Sequence, residues 1–391
     1  MVVTLPPSAA NLAWAQKRWR QSGVTAPAVA ACLGGAADAL TLADRLPLWL
    51  WRTREPTAFA ALVRLFVLGQ PVGVAWLTSA LPDAFAWEKR GLLQVRGKQA
   101  HATLALSFHD GFEIVADVEP RSANDEREHV MGVTSASQTL QRCLMPGTYK
   151  QALDVGTGSG VVALALASQC RNVLGTDINR RALAFARLNA KLVGATNIRF
   201  ARTSLFKGLP QNHFDLIVGN LPFVISPEQR FVYRDGGLPL DAFSATVVGQ
   251  AALHLRPGAH AQFLVQWVHP REPLADAQER EEERLASWVA DSACHLLALR
   301  FRAQKVEDYA LEWSRGPFAA TPAAAVKRFD AWMRFYERHN IAAVSTGLIV
   351  LQRLRDPSRE RPWLAVQDWP TPEGPCGADI AAQLAEIAAS L

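Results

Sequence analysis

The run Leu153-Asp154-Val155-Gly156-Thr157-Gly158-Ser159-Gly160 constrains this chain more than any other. An apolar strand over residues 151–155 is followed at once by alternate glycines and then by an Ala-rich helix over 161–167. Glycines in such a turn let backbone N–H groups come close to a ligand at a helix N-terminus, as a nucleotide cradle requires. A dinucleotide fingerprint, Gly-x-Gly-x-x-Gly, would place its third glycine at Val161, but glycine sits one place early, at Gly160. A second short strand over 173–176 ends in Asp177, about 20 residues past the first glycine, where a carboxylate can accept from two ribose hydroxyls. From Met131 onward strand and helix alternate, which implies an α/β fold with a doubly wound parallel sheet.

A further apolar strand, beginning at Phe214, ends in Asn220-Leu221-Pro222-Phe223. Together the two runs resemble a known family. Asp-x-Gly-x-Gly-x-Gly resembles motif I of the class I S-adenosylmethionine (SAM) methyltransferases, which have a Rossmann-like sheet. Asn-Leu-Pro-Phe resembles motif IV of those members that act on planar nitrogens, usually Asn-Pro-Pro-Tyr or Asn-Pro-Pro-Phe.

The resemblance implies SAM as cofactor, with Asp154 facing its ammonium group and Gly156, Thr157, Gly158, Gly160, Asp177, Ile178, Ser204, Leu205 and Asn220 around it. It also implies a catalytic set of Asn220, Leu221, Pro222 and Phe223, in which the Asn220 amide oxygen and the Leu221 carbonyl accept from an NH₂ group and Phe223 packs on its face. Two acceptors draw a delocalised nitrogen toward a nucleophilic geometry while its protons gain positive charge. Leu221 departs from the pattern: it keeps the carbonyl but lacks the fixed φ of proline. Residues 231–238 resemble a Gly-rich loop of the HemK-like glutamine-amide methyltransferases and the bacterial small-domain (rRNA guanine) methyltransferases. There Tyr233, Arg234 and Asp235 either line the acceptor pocket or pin a turn by an Arg–Asp pair. Residues 132–140 either cover the methionine end of the cofactor or cap a helix.

At 391 residues the chain exceeds one ordinary core. Residues 1–120 read as a helical, winged-helix-like substrate-recognition domain, with helices over 8–21, 27–42, 56–68 and 72–81, then strands over 91–95, 101–108 and 112–118. Asp110-Gly111 is a hairpin turn between the last two. Residues 121–129 read as a linker, 130–355 as the methyltransferase domain and 356–391 as a tail with a short helix. Strands over 261–267, 296–301 and 342–353 extend the sheet, the last two as antiparallel closing strands, and the charge run from Glu279 to Arg284 is expected on a solvated helix face. The first hundred residues carry 11 Lys plus Arg against 5 Asp plus Glu, a surplus that suits RNA or an acidic protein but is also ordinary surface variation.

No apolar run approaches about 18 residues and no signal segment is visible, so a soluble protein and no membrane partner are expected. The five cysteines are scattered, with no Cys-x-x-Cys, which argues for a reducing cytoplasm and against zinc; no metal site is expected. The implied activity is methyl transfer from SAM to a planar nitrogen, a protein glutamine amide or an rRNA base amine. Two alternatives stay open: a small-molecule enzyme acting on a free amino acid or natural product, by methylation or other SAM-consuming chemistry, and a non-catalytic SAM- or RNA-binding protein. The acceptor is accordingly a protein, an RNA or a small molecule.

Overall fold

Ser8 stands where the sequence starts its first helix, and its Oγ accepts from Asn11 N–H at 3.2 Å. In the helix it caps, α1 (Ala9–Gln21), Leu12, Ala15 and Trp19 recur at helical spacing and are fully buried. The computed structural model describes residues 5–34, 42–118, 128–228, 238–271, 277–290, 292–314 and 321–390. The chain divides into two units, one of Met1–Val133, Gly158–Val161 and Asn179–Thr196, the other of Thr134–Thr157, Val162–Ile178 and Asn197–Leu391.

In the first unit α1 is followed by α2 (Ala26–Leu33), α3 (Leu42–Arg52) and α4 (Ala58–Leu62), which runs into a π-helical turn (Val63–Val67). Then come β1 (Val72–Gly73), α5 (Val74–Ala80), α6 (Ala84–Lys89), β2 (Leu93–Arg96), β3 (Gln99–Ala102), β4 (Ala105–His109) and β5 (Phe112–Ala116). The expected helix over 27–42 ends at Leu33, where Gly34 turns away at φ +81°; residues 35–41 lie outside the described residues. The expected strand over 101–108 is two strands in different sheets, β1-β3-β2 and β4-β5. It breaks at Thr103, whose hydroxyl donates to Gly91 O at 2.7 Å, and at Leu104, which turns fully into the core. Asp110 and Gly111 take φ of +49° and +79°, the left-handed pair that a two-residue hairpin needs, and His109 pairs with Phe112 as expected. Trp19, Phe66 and Trp87 fill this core in edge and tilted contacts, whereas Trp51 is exposed. The expected linker lies almost wholly outside the described residues.

The second unit carries α7 (Ser135–Cys143), β6 (Tyr149–Val155), α8 (Val161–Leu166) and β7 (Cys170–Asp177); α9 (Arg180–Val193) follows and belongs to the first unit. Then come β8 (Ile198–Arg202), β9 (Phe214–Asn220), α10 (Ala242–His254), β10 (Leu255–Pro270), α11 (Ala277–Val289), β11 (Cys294–Lys305), α12 (Val306–Trp313), α13 (Pro322–Arg338), β12 (Ile341–Arg353), β13 (Leu364–Asp368) and α14 (Gly377–Ser390). Eight strands form one sheet in the order β13-β11-β12-β10-β9-β6-β7-β8. β6 to β10 run parallel; the central β6, β9 and β10 carry nearly continuous apolar runs because both faces are buried, whereas the edge strand β8 has no buried residue. Of the two expected closing strands, only β12 runs against β10; β11 is antiparallel to β12 and so runs with the parallel set.

The charge run on α11 is solvated at Glu279, Arg280 and Glu283 but not throughout. Glu281 is 4% exposed and accepts from Trp267 Nε1 and Arg300 Nη1, while Arg284 pairs with Asp241 at 2.9 Å. Burying a carboxylate is tolerated here because both its oxygens are satisfied.

Candidate cofactor and acceptor site

β6 lies between β7 and β9, and the chain passes from β6 outward to β7 and β8 before returning to β9 on the other side. That reversal is a topological switch point, and ligands of open α/β sheets bind beyond the carboxyl ends of the strands there. The glycine loop follows β6 and the Asn-Leu-Pro-Phe segment follows β9, so both sequence motifs begin at the carboxyl ends of these two adjacent strands.

Asp154, 1% exposed, sits one residue from the end of β6, opposite Gly175 of β7 and Val218 of β9. Its Oδ2 accepts from Thr157 Oγ1 at 2.6 Å. Burial pushes its carboxyl up to about 7 against the pull of the Thr157 hydroxyl and the Ala163 N–H. Thr157 therefore points inward: its N–H donates to Thr176 O at 2.8 Å and its hydroxyl orients Asp154. Gly158 and Gly160 adopt φ of +56° and +88°. A Cβ on Gly158 would meet nothing within 4 Å, which leaves room for a ligand, whereas one on Gly160 would stand 3.2 Å from Ala186 of α9. Two contacts that sequence reasoning missed fix this turn: the Ser159 hydroxyl donates to Met131 O, and Asn189, fully buried on α9, donates to Ser159 O at 2.8 Å. An Asn on the apolar face of an amphipathic helix was the available signal.

Asp177 ends β7 with a partly exposed side chain, and Ile178 beside it is an exposed apolar residue. Ser204 is exposed, and Leu205 is half-buried at φ +49°. Asn220 ends β9, half-buried and opposite Leu264 of β10, with Pro222 and Phe223 half-buried after it. Leu221 turns inward at 7% exposure, and its Cδ2 lies 2.6 Å from where a Gly156 side chain would start. Its side chain thus bridges the two motif loops through the core, a role that its place in the sequence pattern did not show. Tyr233, Arg234 and Asp235 lie outside the described residues. Thr134 and Ser137, in the segment that had two readings, form a capping box at the start of α7.

The Methyltransferase small domain family matches residues 131–234, and a Domain of unknown function (DUF7059) matches residues 21–103. The release factor glutamine methyltransferase of Deinococcus radiodurans is 30% identical over 221 residues, 54% of this chain and 74% of that protein. This chain belongs to the class I methyltransferase family. The release factor glutamine methyltransferase of Xylella fastidiosa is 35% identical over 138 residues, 32% of this chain and 50% of that protein. The ribosomal protein L11 methyltransferase of Thermus thermophilus is 40% identical over 130 residues, 33% of this chain and 50% of that one. The chain thus spans about half the length of the first curated methyltransferases it matches. No helix among the described residues is long and apolar enough to cross a membrane.

Proposed function

We propose that the protein transfers a methyl group from SAM to a planar nitrogen, and that the acceptor is the glutamine side-chain amide of a translation protein. The observation that carries this reading is the placement of Asn220, at the carboxyl end of β9, across the switch point from the glycine loop, with Leu221 packed beside Gly156. Similarity to methyltransferases named for release factor glutamine supports the choice of acceptor. The free cysteines support a cytoplasmic setting.

The residues present fit such a cofactor. Asp154 is a buried carboxylate whose raised proton affinity a neighbouring ammonium would offset, and Gly158 leaves open space where a backbone must be approached closely. Asp177 would accept from the ribose hydroxyls, and the exposed Ile178 would lie against the adenine. When bound, SAM supplies an electrophilic methyl group on sulfur. Asn220 and the Leu221 carbonyl would hold the two amide protons of the acceptor, and Phe223 would support its plane, so that proximity and charge stabilisation carry the reaction.

The test is single-turnover methyl transfer to a purified release factor at saturating SAM. Asn220→Ala should leave calorimetric SAM affinity nearly intact and slow transfer by about two to three orders of magnitude, the effect of deleting one preorganised polar contact. Equal rates would remove Asn220 from amine holding and redirect the search to oxygen, sulfur or carbon acceptors.

A further inference from the structure

Five positions beyond Asn220, the backbone of Ile225 is held on both sides of its Cα. Its N–H donates to Tyr309 Oη at 3.2 Å and its carbonyl accepts from Tyr336 Oη at 2.7 Å. Tyr309 Oη in turn donates to Gln266 Oε1 on β10 at 2.6 Å, and Gln266 Nε2 donates to Thr346 Oγ1 on β12 at 2.9 Å. The sheet therefore sets the orientation of the Gln266 amide, and the amide sets the direction of the Tyr309 hydroxyl. Ile225, Tyr309 and Tyr336 are all at or below 1% exposure. Three residues on, the Glu228 carboxylate takes Arg328 Nη2 at 2.8 Å and Trp332 Nε1 at 3.2 Å. Tyr309 lies on α12, and Arg328, Trp332 and Tyr336 lie on α13, the helices inserted between β11 and β12.

We propose that α12 and α13 clamp the loop that receives the methyl acceptor, with Tyr309 and Tyr336 as positioning residues that supply the rigidity a proline at position 221 would otherwise give. The proposal rests on the planar-nitrogen reading of Asn220. Between the end of β9 and the fixed Ile225 lie Leu221, Pro222, Phe223 and Val224. Leu221 is anchored in the core and Pro222 has a set φ, so a segment pinned at both ends presents Asn220 and Phe223 in one arrangement. Phenylalanine at 309 and 336 would fill the same volume; a buried hydroxyl is costly unless it is bonded, and the two hydroxyls meet the backbone N–H and carbonyl of the one residue Ile225. Misplacing a reacting group by about 1 Å costs about 100-fold in rate, so a clamp acts on turnover and not on cofactor affinity.

Tyr309→Phe and Tyr336→Phe are compared with the full-length wild type, and Glu228→Gln, at the partly exposed outer pin, gives a milder version. Three quantities are read: calorimetric SAM affinity, kcat and KM with a purified release factor, and amide hydrogen exchange over residues 224–228. The clamp predicts SAM affinity within about 2-fold, kcat lowered about 10-fold with KM changed less than about 2-fold, and faster exchange at Ile225 while β10 and β12 exchange as before. Unchanged kcat with faster exchange at Ile225 would overturn it, as would unchanged exchange or a parallel loss of SAM affinity. If the wild type transfers nothing to the release factor, the acceptor reading fails on its own, and exchange at Ile225 still decides whether the loop is held.

Discussion

Asp154 is a carboxylate at the end of a central strand whose affinity for a proton is raised by burial to about 7. Its value in the unfolded chain is about 3.9, so between about pH 4 and 7 the folded state holds a proton that the unfolded state has lost. The stability contributed by this group therefore falls as pH rises through that window and levels off above it. A cation bound beside Asp154 would expel that proton. SAM affinity should accordingly rise from about pH 6 to pH 8, with proton release detected by calorimetry in buffers of different ionisation enthalpy, and Asp154→Asn should abolish the release. Affinity that is flat with pH in the wild type would detach Asp154 from the cofactor. Leu221 carries a second expectation at this scale. Because it packs with Leu153, Val155 and Ile217, Leu221→Ala should lower unfolding free energy by about 2 to 3 kcal/mol in urea titration, and Leu221→Pro should also destabilise. A loss below about 0.5 kcal/mol would show that the side chain is not anchored. The motif made Asn220 visible, since its chemistry is local to a strand end, but the burial of Leu221 against Gly156 is a tertiary contact that no spacing encodes.

Among elements, those with a periodic apolar signal were legible. β6, β7, β9 and β10 could be read because a strand buried on both faces is an uninterrupted apolar run bounded by turn residues. The short β13 was hidden in a Pro-rich tail, since only pairing with β11 makes it a strand. α11 was legible as a helix and its charge run misread at Glu281 alone, because a run of charges looks the same whether or not a distant Arg300 and Trp267 close over one of them. Removing that one carboxylate leaves an indole N–H unsatisfied and a guanidinium with Asp368 alone. Glu281→Ala should cost about 2 to 4 kcal/mol, measured by chemical unfolding, while Glu282→Ala on the same helix should fall within about 0.5 kcal/mol. Equal effects at the two positions would mean that the whole face is solvated after all.

For the molecule as a whole, α9 changes what the amino-terminal residues do. Ala182, Phe185 and Leu188 of this helix share one core with Leu12, Ala15 and Trp19 of α1, although β6, β7 and the glycine loop lie between them in the chain. We expect the amino-terminal region to choose the acceptor, but it cannot be detached to test this, because removing it uncovers the apolar face of α9. A chain starting at Thr134 should aggregate or fail to bind SAM by calorimetry, where the full chain binds; a folded, SAM-binding truncation would show that α9 needs no such cover. The same interleaving has a consequence in time. While the chain emerges from the ribosome, α1 waits for a partner nearly 170 residues downstream, so the amino-terminal core closes only after the strands carrying the glycine loop have been made. Synthesis order and folding order are thereby uncoupled, and the part made first is completed late.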